Sequence, residues 1–196
     1  QIFLEQKNFF NKEKMNIKKI IINNANFSFL RSNFKMLNDS SNQKFSKKKI
    51  KINKSNIFLK DNKNEIITIV KIDRANIFFD DKKLLNFFDL KGSVFTIPFY
   101  FELDGKNELT QKEIDFRAKS LNLNIFNETI KQKNEIISGR SVIKLLNSTV
   151  NTEYSIDDKI ITFESKSSRI NNSKVNYNGV LSINPFDLDL NINLNN

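Results

Sequence analysis

Alternation of apolar and polar residues is the feature of this chain that most restricts its fold. Over 186–195, an apolar residue occupies every even position and Asp or Asn occupies every odd one. The same period of two recurs over 94–103 and 174–183, and over 114–125 with a shift of phase by one residue. Because successive side chains of a strand point to opposite faces of the sheet, this period predicts strands with one apolar and one hydrated face.

Short β-rich segments separated by polar turns fill most of the remaining chain. The turns include 61–64, 80–83 and 104–107, and they contain Asp, Asn, Lys and Gly. We therefore predict an all-β fold, an elongated, curved and mainly antiparallel sheet that forms an apolar groove. A closed β-sandwich is the alternative, because it would also cover the apolar faces. Residues 1–16 are predicted to be a short helix or linker, and 17–196 a repetitive β-rich segment, an excerpt of a longer chain.

The composition leaves few routes to catalysis. The chain has no Cys and no His, which excludes Cys/His zinc sites and His-based triads. Its 4 Gly are too dispersed for a phosphate-binding loop. Paired acids at 80–81 and 157–158 lie in predicted turns beside Lys, so we interpret them as solvated. We expect no enzymatic activity, no catalytic residues, no metal site and no cofactor.

The charge balance favours anionic partners. The chain has 32 Lys+Arg and 22 Asp+Glu, a formal charge of +10. Its densest basic patch lies within 44–54. Nucleic-acid binding needs exposed aromatic residues among such charges, but here the aromatic residues fall on the apolar side of the strands. We therefore expect no nucleic-acid partner, and we expect the basic residues to contact an anionic membrane surface instead.

Two internal repeats accompany the alternation. A short unit of the form Ile, Asn or Asp, any residue, Ala or Ser, Asn, an apolar residue, any residue, Phe or Leu occurs at 22–29, 52–59 and 72–79, with a looser copy at 170–177. Its Asn/Asp pair predicts a bend or bulge between two strand segments. A Gly, five residues and Pro-Phe occur at 92–99 and again near 179–186, and each of the 2 Pro lies in one of these copies.

These repeats, each followed by an alternating strand, resemble the AsmA-like family of Gram-negative envelope proteins. The resemblance implies a long, curved β-sheet in the periplasm with an apolar inner groove that carries phospholipid between the inner and outer membranes. It also implies tethering to the inner membrane by a segment that this chain lacks. It supplies no individual functional residue, because the family's activity depends on a surface, and it leaves the envelope protein partners unknown.

The residues alone lead to a related hypothesis. Acyl chains suit a lining of Phe, Ile and Leu, because burial of each methylene contributes about 0.8 kcal/mol and needs no polar partner. We therefore predict a non-catalytic lipid-binding or lipid-transfer groove whose partners are phospholipid acyl chains. The alternative is a structural or interaction module in outer-membrane assembly that binds no lipid. The predicted lining residues are Phe95, Ile97, Phe99, Phe101, Leu103, Ile114, Phe116, Leu188, Leu190 and Ile192.

Overall fold

A computed structural model describes residues 1–4, 17–30, 43–106, 110–132 and 135–195. Strands dominate these residues and form two compact units. The prediction of an all-β, mainly antiparallel fold is confirmed.

Unit 1, Gln1–Leu109, contains seven strands in its described part. The strands are β1 (Ile2–Leu4), β2 (Ile17–Asn23), β3 (Asn26–Leu30), β4 (Lys49–Lys60), β5 (Ile66–Asp80), β6 (Leu85–Val94) and β7 (Ile97–Lys106). Their hydrogen-bonded order is β1-β2-β4-β5-β6-β7, and β3 pairs with β4 beyond the end of β2. The β2 and β3 strands run parallel to β4, whereas the other pairs are antiparallel.

Unit 2, Thr110–Asn196, also contains seven strands in its described part. They form an antiparallel meander, in which strands of this unit that are consecutive in sequence are paired. The strands are β8 (Gln111–Ala118), β9 (Leu123–Lys131), β10 (Ile137–Leu145), β11 (Ser148–Asp157), β12 (Ile160–Ile170), β13 (Ser173–Ile183) and β14 (Phe186–Asn195).

Each unit is a single layer of strands. Within the described residues, the strands of a unit make extensive contacts only with their hydrogen-bonded neighbours. No second sheet packs on either face in this part of the chain, so the sandwich alternative does not describe the structure. The apolar faces must therefore be covered by their own side chains or by something outside the sheet.

The first two copies of the short repeat lie side by side in unit 1. Residues 22–29 run parallel to 52–59, so that Asn23 pairs with Asn53 and Asn26 with Asn56. The Asn53 Nδ2 donates to Asn23 Oδ1 at 2.9 Å, and the Asn56 Nδ2 donates to Asn26 Oδ1 at 3.0 Å. The repeat is thus a pairing unit, because like residues form hydrogen-bonded rungs across two neighbouring strands.

The predicted bend of the short repeat is also present. Asn24 and Lys54 have positive φ values of 55° and 47°, and the β5–β6 register shifts between Ile72 and Arg74 in the third copy. The small residue that follows each bend lies on the apolar side, and Ala75 is only 1% exposed. A larger side chain there would meet the side chains packed around it, such as that of Leu90, which explains the Ala or Ser of the pattern. In the fourth copy, residues 171–172 take the place of the bend and form the β12–β13 hairpin turn, with Asn171 at φ 52°.

Two predicted strands are each divided by a turn. Phe95 and Thr96 have φ values of 48° and 68° and form the two-residue turn between β6 and β7. The phase shift in 114–125 is the turn Lys119–Leu121, which ends β8 before β9 begins. The second Pro-Phe motif also spans a hairpin, because Ile183 pairs with Phe186. The flip of apolar phase there comes from a turn at 184–185, which contains a cis Asn184–Pro185 bond.

The N-terminal prediction falls largely outside the described residues. Ile2–Leu4 is a strand that pairs antiparallel with β2, so this part is neither helix nor linker. Residues 5–16 lie outside the described part of the chain.

Candidate functional site: the apolar sheet faces

The strand register places four predicted lining residues on one face of unit 1. Ile97, Phe99, Phe101 and Leu103 alternate along β7, and they pair with the apolar side of β6. Phe95 lies in the turn, 73% exposed and off the strand face, because its positive φ puts it outside the pleat.

The apolar face of unit 1 is filled by its own side chains. Ile72, Ala75 and Leu90 form a buried cluster. Phe99 and Phe101 pack against it, and the Phe101 ring centroid lies 5.6 Å from that of Phe88. This face is therefore a small hydrophobic core.

The apolar face of unit 2 is larger and more exposed. The register assigns alternate residues of all seven strands to this face. Two rows of apolar side chains cross the strands near opposite ends of the sheet. The first row is Phe116, Ile125, Ile143, Val150, Val175 and Leu194, and the second is Ile137, Ile156, Ile161, Leu181 and Leu188.

The other five predicted lining residues share this face but lie at its opposite edges. Ile114 and Phe116 are on β8, whereas Leu188, Leu190 and Ile192 are on β14. Six strand spacings separate these strands, about 29 Å along the sheet. The predicted residues thus mark the two margins of the face and omit its centre.

The β14 margin is the most exposed part of this face. Its five apolar side chains are 43 to 77% exposed. Burial of such a side chain contributes about 1.5–3 kcal/mol. Covering the exposed half of the five would therefore contribute about 4–7 kcal/mol. This margin favours a ligand or a partner that covers it.

Aromatic side chains cover glycines at the centre of the face. Tyr154 of β11 lies opposite Gly139 of β10, and an added Cβ at Gly139 would lie 2.4 Å from the Tyr154 Cζ. The Tyr154 hydroxyl reaches past β10 and donates to Asn127 Oδ1 on β9 at 2.8 Å. Phe163 lies in the same way opposite Gly179. These rings fill the space that the missing side chains leave on the face.

Hydroxyl groups between the two apolar rows are hydrogen-bonded within the sheet. Tyr177 pairs through its hydroxyl with that of Thr152, and the Ser165 and Ser168 hydroxyls are 2.7 Å apart. The Ser168 Oγ also accepts the Asn151 N–H at 2.9 Å. Because these groups already have partners, hydrocarbon laid over them would leave none of them without a hydrogen bond.

Two lysines are the only charged residues on this face among the described strands. Lys112 lies directly opposite Thr129, and Lys131 is two positions further along β9. Burial lowers the pKa of the Lys112 ammonium from its ordinary value. The Lys131 Nζ lies 3.9 Å from Glu135 Oε1, in a pair whose carboxylate is almost fully exposed. The β8–β9 corner of the apolar face is therefore cationic.

The opposite, polar face of unit 2 has a shallow depression of about 510 Å³. Glu153, Glu164 and Asp189 lie around it together with Ser, Thr and Asn side chains. In the described ranges, no group of three or more acidic side chains is placed to hold a metal ion. The depression is therefore lined mainly by polar side chains.

No family of proteins matches this chain, and neither does any curated protein or solved structure. Among the described residues, no helix has the length and apolar character needed to cross a bilayer. The candidate site is therefore identified only by the strand register, exposure and charge of the described residues.

The central strands of the apolar face were predicted from the sequence, but none of their side chains was assigned to the lining. Val175 and Leu181 lie in an alternating run that was recognised, but Ile143, Val150 and Ile156 lie in runs where Ser, Thr and Gly replace every second or third apolar residue. In unit 1, the β6 strand was missed because Phe87 and Phe88 are adjacent and hide its alternation. If each of these interrupted runs had been paired with the strand next to it in sequence, the central lining residues and β6 would both have been predicted.

Proposed function

We propose that the apolar face of unit 2 binds phospholipid acyl chains, without catalysis. The observation that carries this proposal is a seven-stranded apolar face that no other layer covers in the described structure. Acyl chains fit such a face because they gain burial energy with every methylene and require no polar partner. The positive charge of the chain complements an anionic lipid.

The residues assigned to this function differ in part from the predicted lining. Leu188, Leu190 and Ile192 stay in the site as its exposed margin, and Ile114 and Phe116 as the other margin. The β7 residues contribute to the core of unit 1, so the proposal assigns them a structural role. The same proposal extends to membership of the AsmA-like family, a periplasmic location and lipid movement between two membranes. The resemblance of the repeats supports these extensions.

Lipid retention tests the proposal directly. The full chain is incubated with vesicles of phosphatidylglycerol and phosphatidylcholine and isolated again, and its lipid is counted by mass spectrometry. We expect the wild type to retain lipid, and a fluorescent fatty-acid probe bound to it to be displaced by phospholipid. A wild type that retains no lipid and binds no probe at saturation would contradict the proposal.

A matched pair of variants locates the site. Leu190→Asp places a carboxylate on the apolar face, whereas Asn191→Asp places one on the polar face of the same strand. A carboxylate facing hydrocarbon costs about 2.5–3.5 kcal/mol, so Leu190→Asp should weaken retention about 100-fold. Asn191→Asp should leave it unchanged. Equal effects of the two variants would show that the lipid does not lie on this face.

The exposed β14 strand favours one alternative, an interaction module. Within the described strands, β14 pairs only with β13, so its outer backbone edge is open to another strand. A chain that retains no lipid but forms a stoichiometric complex with a protein through this strand would support the alternative.

A further inference from the structure

We propose that Lys112 and Lys131 bind the phosphate of the lipid whose acyl chains cover the apolar face of unit 2. This inference rests on the proposed function and adds the headgroup class, an anionic phosphodiester.

The charge on the apolar face is of one sign. Acidic residues such as Glu153, Glu164 and Asp189 lie on the polar face. On the apolar face, the charged residues of the described strands are Lys112 and Lys131, and both lie at the β8–β9 corner. Solvation alone would place a lysine on the polar face. These two lysines lie instead beside a surface that suits hydrocarbon, where they complement an anion at its margin.

The register brings the two ammonium groups within reach of one phosphate. Lys112 pairs directly with Thr129, and Lys131 is the diagonal neighbour on the same face. Diagonal Cβ atoms of an antiparallel pair are about 7–8 Å apart, a span that two long side chains can close. Thr129 lies directly opposite Lys112 and two positions before Lys131 on the same face, so its hydroxyl is available as a third donor.

The site continues into both apolar rows. Ile114 and Phe116 follow Lys112 along β8 on the same face, and Ile137 lies directly opposite Lys131 on β10. A lipid with its phosphate at the corner can therefore lay its chains over aliphatic side chains at once. Glu135 is a competing anion near Lys131, but its side chain is 88% exposed, which makes that ion pair weak.

A pair of double variants with equal change of charge tests the inference. Lys112→Gln/Lys131→Gln removes both ammonium groups from the apolar face, and Lys144→Gln/Lys174→Gln removes two from the polar face of the same unit. The full chain is offered vesicles that contain phosphatidylglycerol and diacylglycerol with identical acyl chains. Mass spectrometry gives the ratio of the two lipids retained.

We expect the wild type to prefer phosphatidylglycerol, and the first double variant to lower the ratio about 30-fold, at about fivefold for each lysine. The second double variant should keep the wild-type ratio, and inorganic phosphate should not displace the lipid. An equal fall of the lipid ratio in both double variants overturns the inference, because lysines on either face would then contribute alike. An unchanged ratio in both also overturns it, because the lysines would then not contribute to the choice of lipid. A wild type that retains both lipids equally overturns the inference alone, whereas one that retains neither contradicts the proposed function itself.

Discussion

The contact between Tyr154 and Gly139 leads to a prediction in which the sign of a mutational effect reverses. The chain has no Gly with positive φ, so the backbone at Gly139 would accept any L residue. What excludes a side chain is the Tyr154 ring, whose Cζ and hydroxyl would lie 2.4 and 2.5 Å from an added Cβ. Gly139→Ala must therefore push the ring away from its position over β10.

The size of the effect follows from what the ring loses. Its displacement breaks the hydrogen bond to Asn127, worth about 1 kcal/mol, and the cross-strand packing, worth up to about 1 kcal/mol. Alanine in place of glycine in a strand returns about 0.5–1 kcal/mol. Gly139→Ala should therefore destabilise the wild type by about 1 kcal/mol. In a Tyr154→Ala background, where no ring is present, it should stabilise by about 0.5–1 kcal/mol.

Urea unfolding of the four proteins, followed by circular dichroism, measures this cycle. We expect an interaction free energy of about 2 kcal/mol between Gly139→Ala and Tyr154→Ala. If Gly139→Ala has the same effect in both backgrounds, the ring does not occupy the space above the glycine and the reasoning is wrong.

The second ring-covered glycine is a built-in control for the cycle. A Cβ at Gly179 would meet the Phe163 ring at 2.7 Å, but also the backbone oxygen of Asp189 at 2.3 Å. Removal of the ring by Phe163→Ala leaves that oxygen in place. Gly179→Ala should therefore remain destabilising in both backgrounds, by about 1–3 kcal/mol.

Two further predictions concern the Ser55 hydroxyl and the Tyr154 phenol. Ser55 is 2% exposed and its Oγ accepts the Ala25 N–H at 3.0 Å, so Ser55→Ala should lower the free energy of unfolding by about 1–3 kcal/mol. The exposed Ser28→Ala should change it by less than about 0.5 kcal/mol in the same urea titration. Burial raises the pKa of the Tyr154 phenol, so the unfolded chain loses this proton first and folding stability falls as the pH rises above about 10. The stability advantage of the wild type over Tyr154→Phe should then shrink between neutral and alkaline pH. An advantage that stays constant would contradict the raised pKa of the Tyr154 phenol.

The sequence predicts the strands wherever alternation is unbroken. The β14 strand and most of β13 follow it residue by residue, because one side of each faces the apolar surface and the other faces water. Eight of the ten predicted lining residues lie on exposed or half-buried strand positions for the same reason: Ile97, Phe99, Phe101, Ile114, Phe116, Leu188, Leu190 and Ile192.

Features that depend on neighbouring strands were beyond the sequence. A two-residue turn normally carries Asn or Gly at its positive φ positions, whereas β6 and β7 turn at Phe95 and Thr96. The alternation therefore continued through the turn and placed Phe95 in a strand. The division between a filled face in unit 1 and an open face in unit 2 was equally hidden, because it depends on which rows converge on Ala75 and Leu90.

The asparagine rungs between β2–β3 and β4 affect how this chain can change over time. Asn23 and Asn26 each bond to the identical residue thirty positions later, on the solvent-exposed side of the strands. Water can hydrate the amide that remains when one Asn of a rung is replaced, so a single substitution should cost no more than about 1 kcal/mol. The two copies can therefore diverge at these positions one substitution at a time, and relatives of this chain should display rungs in which only one Asn is kept.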